Sequence, residues 1–246
     1  MRIALLADLH ANREATEACL AALAREGCGR HVFLGDLVGY GADPAWVLDT
    51  VRPHVADGAV AVLGNHDQAV THAASPHMVA EARDAIAWTR RQLDADQLAF
   101  LGSLPLQVQE DDRLYVHANA WSPGEWGYVS SRAMASRSLE ATPQRLTFCG
   151  HEHRPALYYA QLGPAGHFQP IAGRPVPLPG ARRWLAIPGS CGQPRDGDPA
   201  AACAVYDTDA ATLTFLRVPY DHERAAAKIV AAGLPRVFAT RLLSGA

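Results

Sequence analysis

Lysine is nearly missing from this chain: Lys228 is the only one, so almost all positive charge sits on arginine. Arginine suits bidentate phosphate contact, but a bias this broad reflects overall composition more than a site. The formal net charge is −3, and no long run of one charge sign occurs. Both facts argue against sequence-independent grip on a nucleic-acid backbone as the main activity. Thiolate chemistry lacks its signature too. Cys19, Cys28, Cys149, Cys191 and Cys203 are odd in number and have no Cys-x-x-Cys spacing, which argues against a disulfide framework and a thiolate zinc site. No apolar run approaches the ~20 residues that span a bilayer. The opening MRIALLADLH carries Asp8 inside its apolar stretch, which is unlike a secretory signal. The expectation is a cytoplasmic protein without a membrane partner.

What is present is ordinary globular material. Hydrophobic residues make up 49% and charged residues 19% of 246, enough to bury a core as one domain over 1–246. The first third alternates strand and helix signals, which predicts a parallel sheet with helical crossovers. Strands are expected at 2–7, 31–35 and 59–64. Helices are expected at 13–26, capped by Asn12 and stopped by Gly27; from Asp43 and Pro44 to about 52; and from Ser75 and Pro76 to about 93. Asp94 and Gln97 form a capping box for one more short helix. After Pro105 the pattern turns to β: a hairpin around 110–112, then LTFCG, ALYYAQ, RRWLAIPG and AACAVYDTDAATLTFLRV as mostly antiparallel strands, with helices near 131–140 and 221–232. Residues 163–182 are too rich in Gly and Pro for a central strand or a helix, and read as a loop or an edge excursion. The predicted fold class is α/β, a two-sheet β-sandwich flanked by helices.

Seven candidate metal ligands punctuate this pattern: Asp8 and His10 in ALLADLHAN, Asp36 in FLGDLVGYG, Asn65 in VLGNHD, His117 in LYVHAN, and His151 with His153 in FCGHEH. Each segment is a short apolar run ending abruptly in a ligand, as if five strand ends aimed at one place. Ligands one residue apart can reach one centre only if the backbone turns, because side chains alternate along a strand. Oxygen and imidazole donors without thiolate suit Mn²⁺, Fe²⁺, Co²⁺, Ni²⁺ or Zn²⁺. Seven are too many for one ion and suit two, with Asp36 as the bridge. Paired ions can polarise phosphoryl oxygens and acidify a bridging water to hydroxide. His66 is placed to touch substrate, as an imidazolium that stabilises phosphoryl charge or protonates the leaving oxygen, and Asp67 could orient it.

These residues resemble the calcineurin-like metallophosphoesterases, and within them the small bacterial predicted phosphodiesterases. The pattern D-x-H, G-D, G-N-H-D, H and G-H-x-H is met by Asp8-Leu9-His10, Gly35-Asp36, Gly64-Asn65-His66-Asp67, His117 and Gly150-His151-Glu152-His153. The likeness continues through PGSCGQPRDGD at 188–198 and RVPYD at 217–221. It implies a four-layer α-β-β-α architecture, one ion on Asp8, His10, Asp36 and His153, a second on Asp36, Asn65, His117 and His151, and His66 as the catalytic histidine. Ala11 and Ala118 stand where relatives often have Gly, and both would tighten the backbone near the ions. Glu152 fills a gap often occupied by Thr; a carboxylate close to the substrate would disfavour a dianionic monoester relative to a diester, whereas one pointing into solvent would leave that choice unaffected. The expected substrate is a small phosphorylated molecule or a phosphopeptide. A protein phosphatase or dinucleoside-polyphosphate hydrolase could use the same core. A non-catalytic scaffold should have lost ligands, and an amidohydrolase barrel should keep repeating βα units to the end.

Other residues carry weaker readings. Trp121, Trp126 and Tyr128 could form an aromatic lip or simply pack under a loop. His31, His54, His167 and His222 have no ligand spacing, whereas His72 and His77 follow the Gly-Asn-His-Asp turn closely and read as loop surface. Cys149 reads as a small buried residue, and Arg195 as a structural ion-pair partner with a phosphate contact as the alternative.

Overall fold

The computed structural model describes residues 1–72 and 78–246. Its elements run β1 (Arg2–Leu6), α1 (Arg13–Arg25), β2 (Arg30–Phe33), α2 (Pro44–Ala56), β3 (Val60–Ala61), α3 (Asn65–Thr71), α4 (Ala80–Gln92), α5 (Ala95–Ser103), β4 (Gln107–Glu110), β5 (Arg113–Val116), α6 (Arg132–Glu140), β6 (Leu146–Phe148), β7 (Ala156–Ala160), β8 (Gly166–Phe168), β9 (Pro175–Pro177), β10 (Arg183–Ile187), β11 (Ala201–Asp207), β12 (Thr212–Val218), α7 (His222–Ala231) and α8 (Arg236–Ser244).

Two six-stranded sheets face each other, one in the order β3-β2-β1-β11-β12-β9 and the other β4-β5-β6-β10-β7-β8. Alternation along β1 shows why. Ile3, Leu5 and Ala7 point into the core between the sheets with Tyr115, Phe148 and Trp184. Ala4 and Leu6 point outward under Cys19 and Leu23 of α1 and Val47 and Val51 of α2. A strand buried on both faces reads as the continuous apolar run IALLA. On the far side, Leu114, Val116, Leu185 and Ile187 pack against Ala135 and Leu139 of α6. The layers are therefore helix, sheet, sheet, helix, as expected.

Several expectations need correcting. The sheets do not follow the two halves of the chain, because the hairpin β11–β12 returns to pair antiparallel with β1. The second half is also not uniformly antiparallel: β5 with β6 and β6 with β10 are parallel pairs. Helix α2 runs on through Pro53. Its last turn is held where the His54 ring packs, tilted, against His31 at 4.5 Å and Phe33 at 5.9 Å, a tertiary contact that outweighs a proline's missing N–H. Asp43 makes no cap bond there; its carboxylate accepts from Lys228 at 2.8 Å instead. Only Val60 and Ala61 of the third predicted strand are laddered. The 163–182 stretch lies partly in edge strands, β8 on one sheet and β9 on the other. Two helices were not foreseen: α3, which begins on a candidate ligand, and α8, bracketed by Pro235 and Gly245. Asn12 does cap α1, accepting from the Ala15 amide, and Asp94 and Gln97 form their reciprocal box. The proposed start at Ser75 and Pro76, and His77, lie outside the described residues.

Candidate metal centre

All five ligand-bearing segments follow the carboxyl ends of strands: Asp8 after β1, Asp36 after β2, Asn65 after β3, His117 after β5, and His151 and His153 after β6. Short bonds stitch them together. The Asp8 amide donates to Gly35 O, His10 to Asp36 O and Gly150 to His117 O, while the His151 amide donates to the Asp8 carboxylate at 3.1 Å.

The turn that paired ligands require is made by left-handed backbone. Asp8, His10, Asp36, His151 and His153 all have positive φ, between 48° and 70°. For a non-glycine residue this costs about 1–2 kcal/mol each, and such strain persists only where the surroundings over-determine it. Ala11 is also left-handed at φ 51°, a conformation that only glycine adopts without strain. Gly64 shows how tightly the loops close, since an added Cβ would lie 2.1 Å from the Asp36 amide nitrogen.

The side chains converge in two overlapping groups, Asp8, His10, Asp36 and His153, and Asp36, His117 and His151; in each, the donor atoms lie within 4.8 Å of one another. Asn65 Oδ1 lies 3.1 Å from His117 Nε2 and joins the second. Asp36 Oδ2 stands between them, 3.7 Å from His10 Nε2 and 3.4 Å from His117 Nε2.

Tautomers sharpen the picture. Each histidine donates its outward N–H to a backbone carbonyl: His10 Nδ1 to Val38 O, His117 Nδ1 to Leu34 O, His153 Nδ1 to Gln193 O and His151 Nε2 to Trp126 O. That arrangement turns the remaining nitrogens inward, the support that metal-bound histidines ordinarily receive. His10 Nε2 faces His153 Nε2 at 3.1 Å, and His117 Nε2 faces His151 Nδ1 at 3.1 Å. Burial keeps His10 and His153 well below the usual histidine value, and His151 at about 3, so their inward lone pairs are free. The neutral nitrogens of His10 and His153, aimed at each other, repel unless a cation lies between them. Burial opposes a charge on His117 as well, but Asp36 overrides it and raises this ring to about 9. Burial likewise opposes charge on Asp36, yet His117 and His66 hold it well below the ordinary carboxylate range. Asp8 is raised to about 7 by burial, with Asp36 adding and His117 opposing. The donor set fits divalent cations.

A cleft of about 440 Å³ opens over this cluster, and Asp36, Asn65, His66, His153, Trp126, Tyr128, Ala69, Val79 and Ala82 are among its lining residues. His66 sits there with its amide donating to Asp36 Oδ1 at 2.9 Å and its Nδ1 unpartnered. Burial lowers its pKa, with the Asp36 charge opposing. Asp67 does not orient it. The Asp67 carboxylate accepts from the Val38 and Gly64 amides at 3.1 and 3.0 Å, because it closes the first turn of α3 against the Asp36 loop. Glu152 is absent from the cleft lining, and its carboxylate is half-buried with Oε1 unpartnered among the described residues.

The aromatic segment divides. Tyr128 stacks on His151 at 4.1 Å with planes 17° apart, Trp126 Nε1 donates to Gln68 Oε1, and Trp121 turns away under Arg137. His72 is exposed and bonds Thr71. Arg195 enters no ion pair among the described residues and lines the cleft. Tyr40, another lining residue, packs on His66 at 4.3 Å; its sequence neighbourhood, GYG after a ligand, was the only hint.

A family model described as the calcineurin-like phosphoesterase superfamily domain matches residues 1–211. An uncharacterized protein of Methanocaldococcus jannaschii, MJ0912, is 32% identical over 99% of this chain and 98% of its own length. A metallophosphoesterase structure from Sphaerobacter thermophilus is 36% identical with a TM-score of 0.87, covering 100% of this chain and 99% of that one. The hypothetical protein PH1004 from Pyrococcus horikoshii shares the fold at 18% identity and a TM-score of 0.78, over 100% and 98% of the two chains. With that match spanning the whole ligand order from Asp8 to His153, the chain belongs to the calcineurin-like phosphoesterase superfamily.

Proposed function

We propose that this chain hydrolyses phosphoesters with two divalent metal ions, one held by Asp8, His10, Asp36 and His153 and the other by Asp36, Asn65, His117 and His151. The observation that carries the reading is the convergence of two groups of buried donors on the shared Asp36 carboxylate, with the His10 and His153 nitrogens 3.1 Å apart. Such ions would supply Lewis acidity to the phosphoryl oxygens and a water made acidic enough to attack phosphorus. Imidazole and carboxylate donors suit Mn²⁺, Fe²⁺, Co²⁺, Ni²⁺ or Zn²⁺.

The chain's own groups do the rest. His66 reaches the cleft beside the shared carboxylate and can donate one N–H to a phosphoryl or leaving oxygen. Its contact with Tyr40 and its amide bond to Asp36 set its position. The cleft of about 440 Å³ carries aromatic and aliphatic lining residues beside the metal-ligand cluster, a surface suited to the organic arms of a small phosphodiester. Glu152 has no part in that surface. All five cysteines are free, which fits a reducing cytoplasm, and among the described residues no helix is long and apolar enough to cross a membrane.

Stripped protein restored with Mn²⁺ or Ni²⁺ should hydrolyse an activated aryl phosphodiester, and Asp36→Asn should abolish both turnover and ion retention. His66→Ala should keep the ions and lose about 10²–10⁴-fold in kcat. Turnover that survives either substitution, or protein that never acquires metal, would sink the proposal.

A further inference from the structure

One cationic side chain in the cleft is built with care and has no use in the metal centre. Arg195 is the only lysine or arginine among the lining residues, and it shares that lining with Asp36, His66 and His153. A cation on a protein surface ordinarily finds a carboxylate. Arg195 forms no ion pair among the described residues, and its charge reaches Glu152 without contact.

Its geometry is nevertheless fixed. Nε and Nη2 both donate to Gln193 Oε1, at 3.3 and 2.9 Å, and the guanidinium lies 5.7 Å from the centre of the Tyr40 ring. Gln193 is buried, and its Nε2 has no partner. The amide therefore commits its oxygen to Arg195 and leaves its own donor unsatisfied, at a cost of about 1–3 kcal/mol. The same residue orients a candidate ligand, since Gln193 O accepts from His153 Nδ1 at 2.6 Å. Ser190 Oγ ties the segment down by donating to Asp8 O and accepting from the Gln193 amide. The Arg195 amide bonds His153 O. One short segment thus holds a metal-ligand imidazole and a guanidinium in fixed relation, and Gln193 takes up only two of the guanidinium's five donors.

We infer that Arg195 binds substrate directly, donating from its guanidinium to a non-bridging oxygen of the phosphoryl group, with Gln193 as the residue that positions it. This rests on the phosphoesterase reading above. A pre-oriented fork loses little side-chain entropy on binding, and an uncompensated charge keeps its full attraction for an anion. Monoesters carry one more anionic oxygen than diesters, so they depend on Arg195 more.

The test uses full-length, metal-loaded protein with metal content measured in every variant. Arg195→Met should keep its ions, raise KM for an aryl phosphodiester and weaken orthophosphate binding, each by roughly 10- to 100-fold, with a larger loss on the aryl monoester. Arg195→Lys should recover part of the loss, and free guanidinium should partly rescue Arg195→Ala, which a purely structural arginine would not allow. Gln193→Leu keeps the backbone bond to His153 and should show an intermediate rise in KM with kcat little changed. Unchanged KM and unchanged orthophosphate affinity in fully metallated Arg195→Met would overturn the inference. Orthophosphate titration by calorimetry reads this arm whether or not any ester turns over. Wild-type protein that binds orthophosphate through Arg195 but hydrolyses nothing would refute the phosphoesterase reading alone.

Discussion

At the scale of single residues, the centre is a competition for lone pairs. His117 is the one imidazole of the four that takes up a second proton in the ion-free protein, because the Asp36 carboxylate 3.4 Å away raises it to about 9. That proton and a metal ion need the same nitrogen, Nε2. Metal binding at the second position should therefore release about one proton at pH 7, and apparent affinity there should rise about tenfold per pH unit until pH 9. Calorimetry in buffers of different ionisation enthalpy measures the proton, and titration at two pH values measures the slope; a flat profile would contradict the assignment. The folding consequence has the opposite sign. A histidine raised from 6.5 to about 9 stabilises the ion-free fold fully below pH 6.5, and that contribution is lost as pH rises through 9. Six of the seven candidate ligands were legible as residues because their chemistry is unusual at strand ends, and Asn65 because it precedes His66. The sequence leaves the roles of Asp67 and Glu152 open for one reason: adjacency in sequence does not say which way a carboxylate turns. Asp67 turns to two backbone amides, and Glu152 stays out of the cleft lining.

At the scale of elements, the strand-end loops do the positioning, and they have no slack. Gly64→Ala would place a methyl 2.1 Å from the Asp36 amide nitrogen. Expected outcomes are a loss of about 1–3 kcal/mol from overpacking and a larger loss of bound metal, read by thermal melts with and without ion. The loop carrying Trp126 and Tyr128 grips His151 twice, through the Trp126 carbonyl at 3.0 Å and the face of Tyr128 at 4.1 Å. Tyr128→Ala should weaken metal binding by roughly 10-fold or more, the usual effect of losing an outer partner of a ligand; unchanged affinity would leave Tyr128, which is 51% exposed, to substrate alone. Helices with clear caps were legible, as Asn12 and Asp94 show. Helix α3 was not, because its first turn is made of site residues whose types speak of chemistry more than of helix formation.

At the scale of the whole molecule, the chain closes on itself: β11 and β12 return to flank β1, so the last third completes the sheet that carries Asp8 and Asp36. The Gly- and Pro-rich stretch has a peripheral place. Ala160 and Arg183 are paired neighbours on β7 and β10, so a two-residue Asn-Gly turn could replace residues 161–182. That shortened chain should lose about 2–5 kcal/mol with buried Leu178 yet keep its metal and its turnover; loss of metal would show that the excursion supports the site. Sequence alone determined the strand-and-helix alphabet, the ligand types and their order, because periodicity and donor chemistry are local properties. Only the tertiary structure decided that five strand ends meet at one edge of two stacked sheets, that five ligands bend through left-handed backbone to do so, and that Arg195 faces the cleft while Glu152 does not. Those outcomes depend on hydrogen bonds between segments far apart in the chain, such as Gln193 to His153 and His151 to Asp8, which no local pattern encodes.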